Sequence, residues 1–255
     1  LRRLNADYTR LMEEELKWAA EMQRTILRPD IPSTDRIEFS VSYKPVPGVY
    51  CGGDYFDVIF LGKDRYFFLI GDVQGHGVRA AFATGILKAI IYPEYVRPMI
   101  GKEISPGAFL GWLNGRLNFE FRRSAGMRVT FFAGIADLNS ASFRYANAGH
   151  DRPFIVKGGK PVELQAQGPA IGSANSLSFA DETASLSSGD VIVMYTEGLG
   201  ETAKGAHSSS LKIGSILARV GYAKDYHSRI ADAILAETGS KHFTNDVTIV
   251  SAKIV

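Results

Sequence analysis

The residues of this sequence best suited to chemistry are carboxylates placed at the ends of apolar runs. Asp54 and Asp57 lie in GGDYFD (52–57), Asp72 in IGDVQGHG (70–77), Glu197 in YTEGLGET (195–202) and Asp246 in TNDVTIV (244–250). A carboxylate that ends a strand beside glycine projects into a cleft next to bare backbone, where hard cations find oxygen ligands. Carboxylate and carbonyl oxygens select magnesium or manganese over zinc, and four such segments from distant parts of one chain suit a pair of those ions. Any one of these aspartates taken alone is more simply a turn former.

Other reactive side chains read more plainly. His76 and His150 sit in glycine-rich turns without HExxH or any other two-histidine spacing, which favours structural roles. Cys51 is the single cysteine; it excludes an intramolecular disulfide and a thiolate zinc cluster, and no cysteine-hydrolase signature surrounds it. Gly75, Gly77 and GPAIG (168–172) fit tight turns, since no GxxxxGK[ST] string exists. Arg79 has two readings, a bidentate contact to a substrate phosphate or a surface salt bridge.

These groups need strands to hold them. Strand-like stretches run over 37–46, 54–60, 65–73, 128–138, 141–148, 153–156, 161–164, 191–196 and 247–254, with Gly62-Lys63-Asp64 as a hairpin turn. Helical patterns cover 78–91, 106–121, 211–220 and 225–237; the second places Phe109, Leu110, Leu113, Leu117 and Phe121 on one stripe. Strand clusters with helices paired at two points, without regular βαβ alternation, predict an α+β layered domain. Residues 203–210 read as a surface loop.

At the N-terminus, Leu4, Tyr8, Leu11, Glu15, Trp18 and Met22 step by heptad spacing, predicting a helix of about 25 residues that Arg28-Pro29 and Ile31-Pro32 end. It is either a terminal helix lying on its own domain or a connector that pairs with a second copy or joins an upstream sensor. The division expected is a connector or dimerisation helix over 1–29 and one domain over 30–255.

The balance of 29 basic against 27 acidic residues in 255 argues against a nucleic-acid footprint. Lys88 interrupts the longest apolar run, 80–96, before it reaches membrane-spanning length, and no signal peptide pattern opens the chain. The cytoplasm is the expected location. A start at Leu1 rather than Met points to a fragment whose upstream portion is missing.

Seven ordered segments together resemble the SpoIIE-type bacterial branch of the PPM, or protein phosphatase 2C-like, serine/threonine phosphatases. They are AAEMQRTILRP (19–29), GGDYFDV (52–58), IGDVQGHGVRAA (70–81), YANAGHDRP (145–153), GPAIG (168–172), SGDVIVMYTEGLGET (188–202) and NDVTIV (245–250). The resemblance implies a four-layer αββα sandwich, two antiparallel sheets flanked by helix pairs, with a metal site at one end between the sheets. It makes Asp54 a ligand of one ion, Asp72 the ligand bridging two, and the backbone carbonyl of Val73 a further ligand. Glu197 and Asn245 stand where the family usually has aspartates for the other ion.

Those two are departures. Glu for Asp moves the carboxylate by roughly 1.5 Å where ligand distances tolerate about 0.2 Å, and Asn for Asp removes a charge. Asp246 is a substitute for Asn245 only if the strand end is irregular, because a regular strand turns adjacent residues to opposite faces. The activity implied is hydrolysis of phosphoserine or phosphothreonine by a water polarised between two Mn2+ or Mg2+ ions, without a phosphoenzyme. The implied substrate is a phosphorylated STAS-type anti-sigma-factor antagonist, and the implied role is the output domain of a signalling protein regulated through its N-terminal helix by a missing sensor or receiver domain. The alternatives are a catalytically silent module that binds a partner and a fragment that only dimerises through the heptad seam.

Overall fold

The computed structural model describes residues 2–27, 31, 34–46, 50–75, 77–121, 127–202, 210–223 and 225–255. His76 and all but the last residue of the 203–210 segment lie outside them, as do the two Xaa-Pro steps expected to end the first helix.

Alternation along the strands builds the layers. On β2 (Asp54–Gly62) and β3 (Arg65–Val73), Phe56, Val58, Tyr66, Phe68 and Ile70 face one core while Tyr55, Phe67, Leu69 and Val73 face another. Strands buried on both faces read as near-continuous apolar runs, which is why these segments lack a clean polar alternation. With β4 (Val129–Asp137), β5 (Ser142–Ala148) and β8 (Glu182–Ser185) they form an antiparallel sheet in the order β2-β3-β4-β5-β8. β1 (Ile37–Lys44), β6 (Phe154–Lys157), β7 (Lys160–Glu163), β9 (Val191–Tyr195) and β10 (Val247–Ile254) form the second, in the order β1-β10-β9-β6-β7. The two inner faces share one core that includes Phe68, Phe132, Phe143, Met194 and Val250.

Helices cover the outer faces. α2 (Val78–Ile90), which runs on as a π-helical turn (Ile91–Val96) into the short α3 (Arg97–Met99), and α4 (Pro106–Glu120) lie on the first sheet. The widened turn contains Pro93, which has no N–H for a regular α-helical bond. Ser105 caps α4 by accepting from Ala108 N–H at 3.0 Å, and Pro106 starts its first turn. Lys88 of α2 donates to the buried carboxylate of Asp57 at 2.6 Å, pinning α2 to β2.

α5 (Ser210–Val220) and α6 (Tyr226–Thr238) cover the second sheet. His227 of α6 is buried with Nε2 2.8 Å from Ser251 Oγ of β10, and burial lowers its pKa to about 4. The fold therefore favours the neutral ring; its contribution is complete above the unfolded value near 6.5 and is lost as pH falls toward 4. One such histidine costs about 2 kcal/mol between pH 7 and pH 5, and His150, also lowered to about 4 by burial, adds a similar loss. Urea unfolding at the two pH values should therefore show His227→Gln losing about 2 kcal/mol less stability than the parent; an identical change in both would contradict the assignment.

α1 (Arg2–Leu27) docks through Ala20, Gln23 and Leu27, which are buried. The heptad seam lies beside that stripe and stays outside: Tyr8, Leu11, Trp18 and Met22 are exposed. The helix thus lies on its domain by one stripe and leaves a second stripe exposed.

Candidate metal centre

The two sheets meet at one end around Asp54 and Asp72, which stand directly opposite each other in the β2–β3 register. Both point inward, on the faces that carry Phe56 and Ile70. From the other sheet Thr196, just beyond β9, and Thr248 of β10 donate their hydroxyls to Asp54 Oδ2 at 2.9 and 2.6 Å. Burial pushes the Asp54 carboxyl well above its usual range, with the charge of Asp72 adding to the shift and the two threonine bonds opposing it.

Beside them the GG turn leaves an oxygen-lined face. Val73 N–H donates to Gly53 O at 3.0 Å, bringing the end of β3 against the turn. A Cβ on Gly53 would stand 2.6 Å from Val73 O, 3.1 Å from Asp72 Oδ1 and 3.1 Å from Gly75 O. Three oxygens therefore converge on a point that only glycine leaves open.

Further carboxylates close in. Asp246 is buried, with Oδ1 accepting from Val46 N–H at 2.9 Å and Oδ2 from Gly53 N–H at 3.2 Å. It turns inward in phase with Thr248 and Val250 of β10, so the alternation expected to turn it away carries it into the site. Glu197 opens a 3-10 turn (Glu197–Gly200) and is exposed. Gly198 lets that turn lie on the Asp246 carbonyl, where any Cβ would collide. Asn245 spends its Oδ1 on the N–H of Asp246 at 2.9 Å.

Asp72 collects the electrostatic consequence. Its pKa rises to about 7 through burial first, then through the charges of Glu197, Asp246, Glu201 and Asp151. Asp151 rises to about 6 through burial and the charges of Glu197 and Glu201. Sequence reasoning missed Asp151 and Glu201 as members of this group, although both sit inside motifs it quoted; nothing in their local strings distinguishes them from polar loop residues.

Among the described residues, none of Asp54, Asp72, Asp151, Glu197, Glu201 and Asp246 takes part in an ion pair. Six neighbouring carboxylates without a protein cation call for external positive charge. No three His, Cys, Asp or Glu side chains among the described residues form a metal cage by themselves; the backbone oxygens of Val73 and Gly75 lie beside Asp72 on the Gly53 face. Hard oxygens with open positions fit Mg2+ or Mn2+, ions that keep several waters.

The remaining candidates divide. Arg79 is exposed in the first turn of α2 and has no ion pair to a described residue, so the salt-bridge reading finds no partner there. Asp57 faces α2, away from Asp54, in its bond to Lys88. His150 is held by Asn147, with Nδ1 3.0 Å from Thr130 Oγ1, which fits a structural role. Cys51 is buried, and burial raises its thiol pKa, which disfavours a nucleophilic thiolate. Gln23 of α1 clasps the GG turn: its amide donates to Gly52 O at 2.7 Å and accepts from Gly52 N–H at 3.1 Å.

A sequence-family profile described as Stage II sporulation protein E (SpoIIE) matches residues 62–255. Phosphoserine phosphatase RsbU of Bacillus subtilis is 28% identical over 192 residues, covering 74% of this chain and 54% of RsbU. Protein IcfG of Synechocystis is 24% identical over 212 residues, covering 72% of this chain and 32% of IcfG. The chain thus spans about a third to a half of the length of these two relatives. Among solved structures, the SiaA-PP2C domain of Pseudomonas aeruginosa superimposes with a TM-score of 0.77 at 20% identity, covering 98% of this chain and all of that one. The PP2C phosphatase domain of SpoIIE from Bacillus subtilis gives 0.71 at 20% identity, covering 88% and 64%. These likenesses show the two-sheet, four-layer fold.

Proposed function

Because the chain belongs to the SpoIIE family, we propose that it hydrolyses phosphoserine or phosphothreonine on a partner protein, using divalent ions held by the carboxylates at the sheet ends. The observation that carries this reading is the group of six carboxylates without a protein counter-charge beside the oxygen-lined face of Gly53. Asp54, Asp72 and the Val73 carbonyl would hold one side of an ion pair, with Glu197 and Asp246 on the other and Asn245 beside them. Two bound Mn2+ or Mg2+ ions would supply a water of lowered pKa and neutralise phosphoryl charge.

The chain's own residues do the positioning. Thr196 and Thr248 fix the Asp54 carboxylate from the second sheet, and Gly53 N–H with Val46 N–H fixes that of Asp246. Arg79, on the exposed first turn of α2, would take the phosphoryl oxygens of the substrate through its guanidinium fork. The name of RsbU as a phosphoserine phosphatase supports the substrate class, and the partner we propose is a phosphorylated STAS-type anti-sigma-factor antagonist in the cytoplasm. No described helix is long and apolar enough to cross a membrane.

One observation favours a second reading, a weak phosphatase or silent binding module. Asn245 is neutral and its oxygen is already occupied by Asp246 N–H, while Glu197 is a methylene longer than the aspartate it replaces. The two readings separate in a manganese titration of p-nitrophenyl phosphate hydrolysis. Glu197→Asp with Asn245→Asp should lower the manganese needed for half-maximal turnover by about tenfold; the absence of any shift would count against a weakened site.

Residues 1–29 would act as connector and dimerisation helix to a phosphatase domain over 30–255, joined upstream to a sensor or receiver domain. The exposed seam of Tyr8, Leu11, Trp18 and Met22 supports a second copy of this chain as partner. Leu11→Glu with Trp18→Glu, which spares the docked stripe, should weaken self-association by on the order of a hundredfold in sedimentation. Equal association of parent and variant would remove the seam from the interface.

A further inference from the structure

The rim of the carboxylate centre carries a second exposed arginine besides Arg79. Arg128 is the last residue before β4. It is in phase with Thr130 and Phe132, so alternation puts it on the inward face that carries Asp72. Asp72 pairs with Thr130 across β3 and β4, and just beyond that pair Gln74 N–H donates to Arg128 O at 2.9 Å. Two residues along β3 and one strand across separate the Cα atoms of Asp72 and Arg128 by about 8 Å.

Its surroundings leave that charge available. Arg128 is exposed and forms no ion pair with a described residue, the six carboxylates included, so its guanidinium stands off the centre in solvent. Its neighbours across the sheet are uncharged. Gln74 lies on one side, and on the other Val129 exchanges both backbone bonds with Ile171 at 2.9 and 3.1 Å, which brings Gly172 beside Arg128. No acidic residue occurs in the sequence between Glu120 and Asp137, so neighbours along the chain offer no counter-charge either. The ground between Arg128 and the ion-binding face is low: Gly75 is exposed, with open space where a Cβ would stand.

We propose that Arg128 is a specificity-determining residue, which takes a carboxylate two residues away from the phosphorylated side chain of the protein substrate. The inference rests on the phosphatase reading of the centre and names a feature of its substrate. In an extended chain, residues two apart face the same side and stand about 7 Å from each other, close to the separation of Asp72 and Arg128. A substrate whose phosphorylated side chain enters the carboxylate centre therefore lays its second neighbour over Arg128. The guanidinium fork matches the two oxygens of a carboxylate. An acidic neighbour would otherwise meet only the like charge of the six carboxylates, so Arg128 turns a repelled flank into a favoured one.

The test is the binding of two labelled peptides to the full chain with Mg2+ present, read by fluorescence anisotropy. Each carries a phosphonate analogue of phosphoserine, which resists hydrolysis; one has Glu two residues to either side of it and the other has Gln there. At low salt the parent should bind the Glu peptide about fivefold more tightly than the Gln peptide. Arg128→Gln should abolish that ratio, Arg128→Lys should keep part of it, and about 0.5 M salt should erase it in the parent. Equal affinities in the parent, the same ratio in Arg128→Gln, or no binding of either peptide would overturn the proposal. Hydrolysis of the matching phosphoserine peptides, followed alongside, tells the two readings apart: the Arg128-dependent ratio without turnover upholds the role of Arg128 and contradicts the phosphatase reading alone.

Discussion

Asp72→Asn is expected to lower kcat/KM for phosphate-ester hydrolysis by on the order of 10³-fold, while leaving the metal-free fold at least as stable as the parent. Asp72 faces Asp54 across the β2–β3 pair and feels the charges of Glu197, Asp246, Glu201 and Asp151. It is therefore the point at which the negative charge of the site is densest. In the proposed centre Asp72 serves both ions, so affinity for divalent ions should fall together with turnover. The same change relieves like-charge repulsion at a partly buried position, so the thermal midpoint without metal should stay level or rise. Calorimetric unfolding in chelator, beside the rate measurement, separates loss of chemistry from loss of structure. A variant that keeps its turnover would remove Asp72 from the centre.

Gly53→Ala should be nearly as damaging, for a steric reason. The added methyl would stand 2.6 Å from the Val73 carbonyl oxygen and 3.1 Å from both Asp72 Oδ1 and Gly75 O. Two of these are backbone atoms held by the turn, since Val73 N–H is bonded to Gly53 O and Gly77 N–H to Cys51 O. They cannot swing aside as the end of a long side chain would. The methyl also occupies the point on which the oxygens converge. The expected result is a manganese requirement raised by about a hundredfold, with a stability loss of about 1–3 kcal/mol from overpacking. Unchanged manganese dependence would mean that the ions bind elsewhere on the cluster.

Much of this arrangement was legible in the sequence, for a definable reason. Strands buried on both faces impose apolar runs, so polar residues inside or ending those runs stand out; Asp54, Asp72, Glu197 and Asp246 were visible in this way. The faces followed from alternation, and Asp54, Asp72, Thr196 and Thr248 meet because all four occupy inward positions at the same end of the sandwich. Asp151 and Glu201 were not visible, since their roles depend on loops brought together by long-range pairing.

Alternation holds at Asp246 in the opposite phase to the one expected from Asn245: it shares the inward face of Thr248 and Val250. On α1 the heptad seam drew attention to Leu11, Trp18 and Met22, while the stripe that docks includes the polar Gln23. Its amide is satisfied by Gly52 and Thr84, 29 and 61 residues away, a pairing no local pattern can announce. β8 was missed because Glu182–Ser185 is a polar edge strand with no buried residue to reveal it.

The claim that the carboxylates hold catalytic divalent ions is tested most directly by following p-nitrophenyl phosphate hydrolysis across a manganese titration, with calorimetric manganese binding on the same samples of the parent chain and Asp72→Asn. The account predicts turnover that rises with manganese occupancy in the parent and is lost with binding in the variant. Turnover independent of manganese, or manganese bound by the parent with no hydrolysis at any concentration, would contradict it.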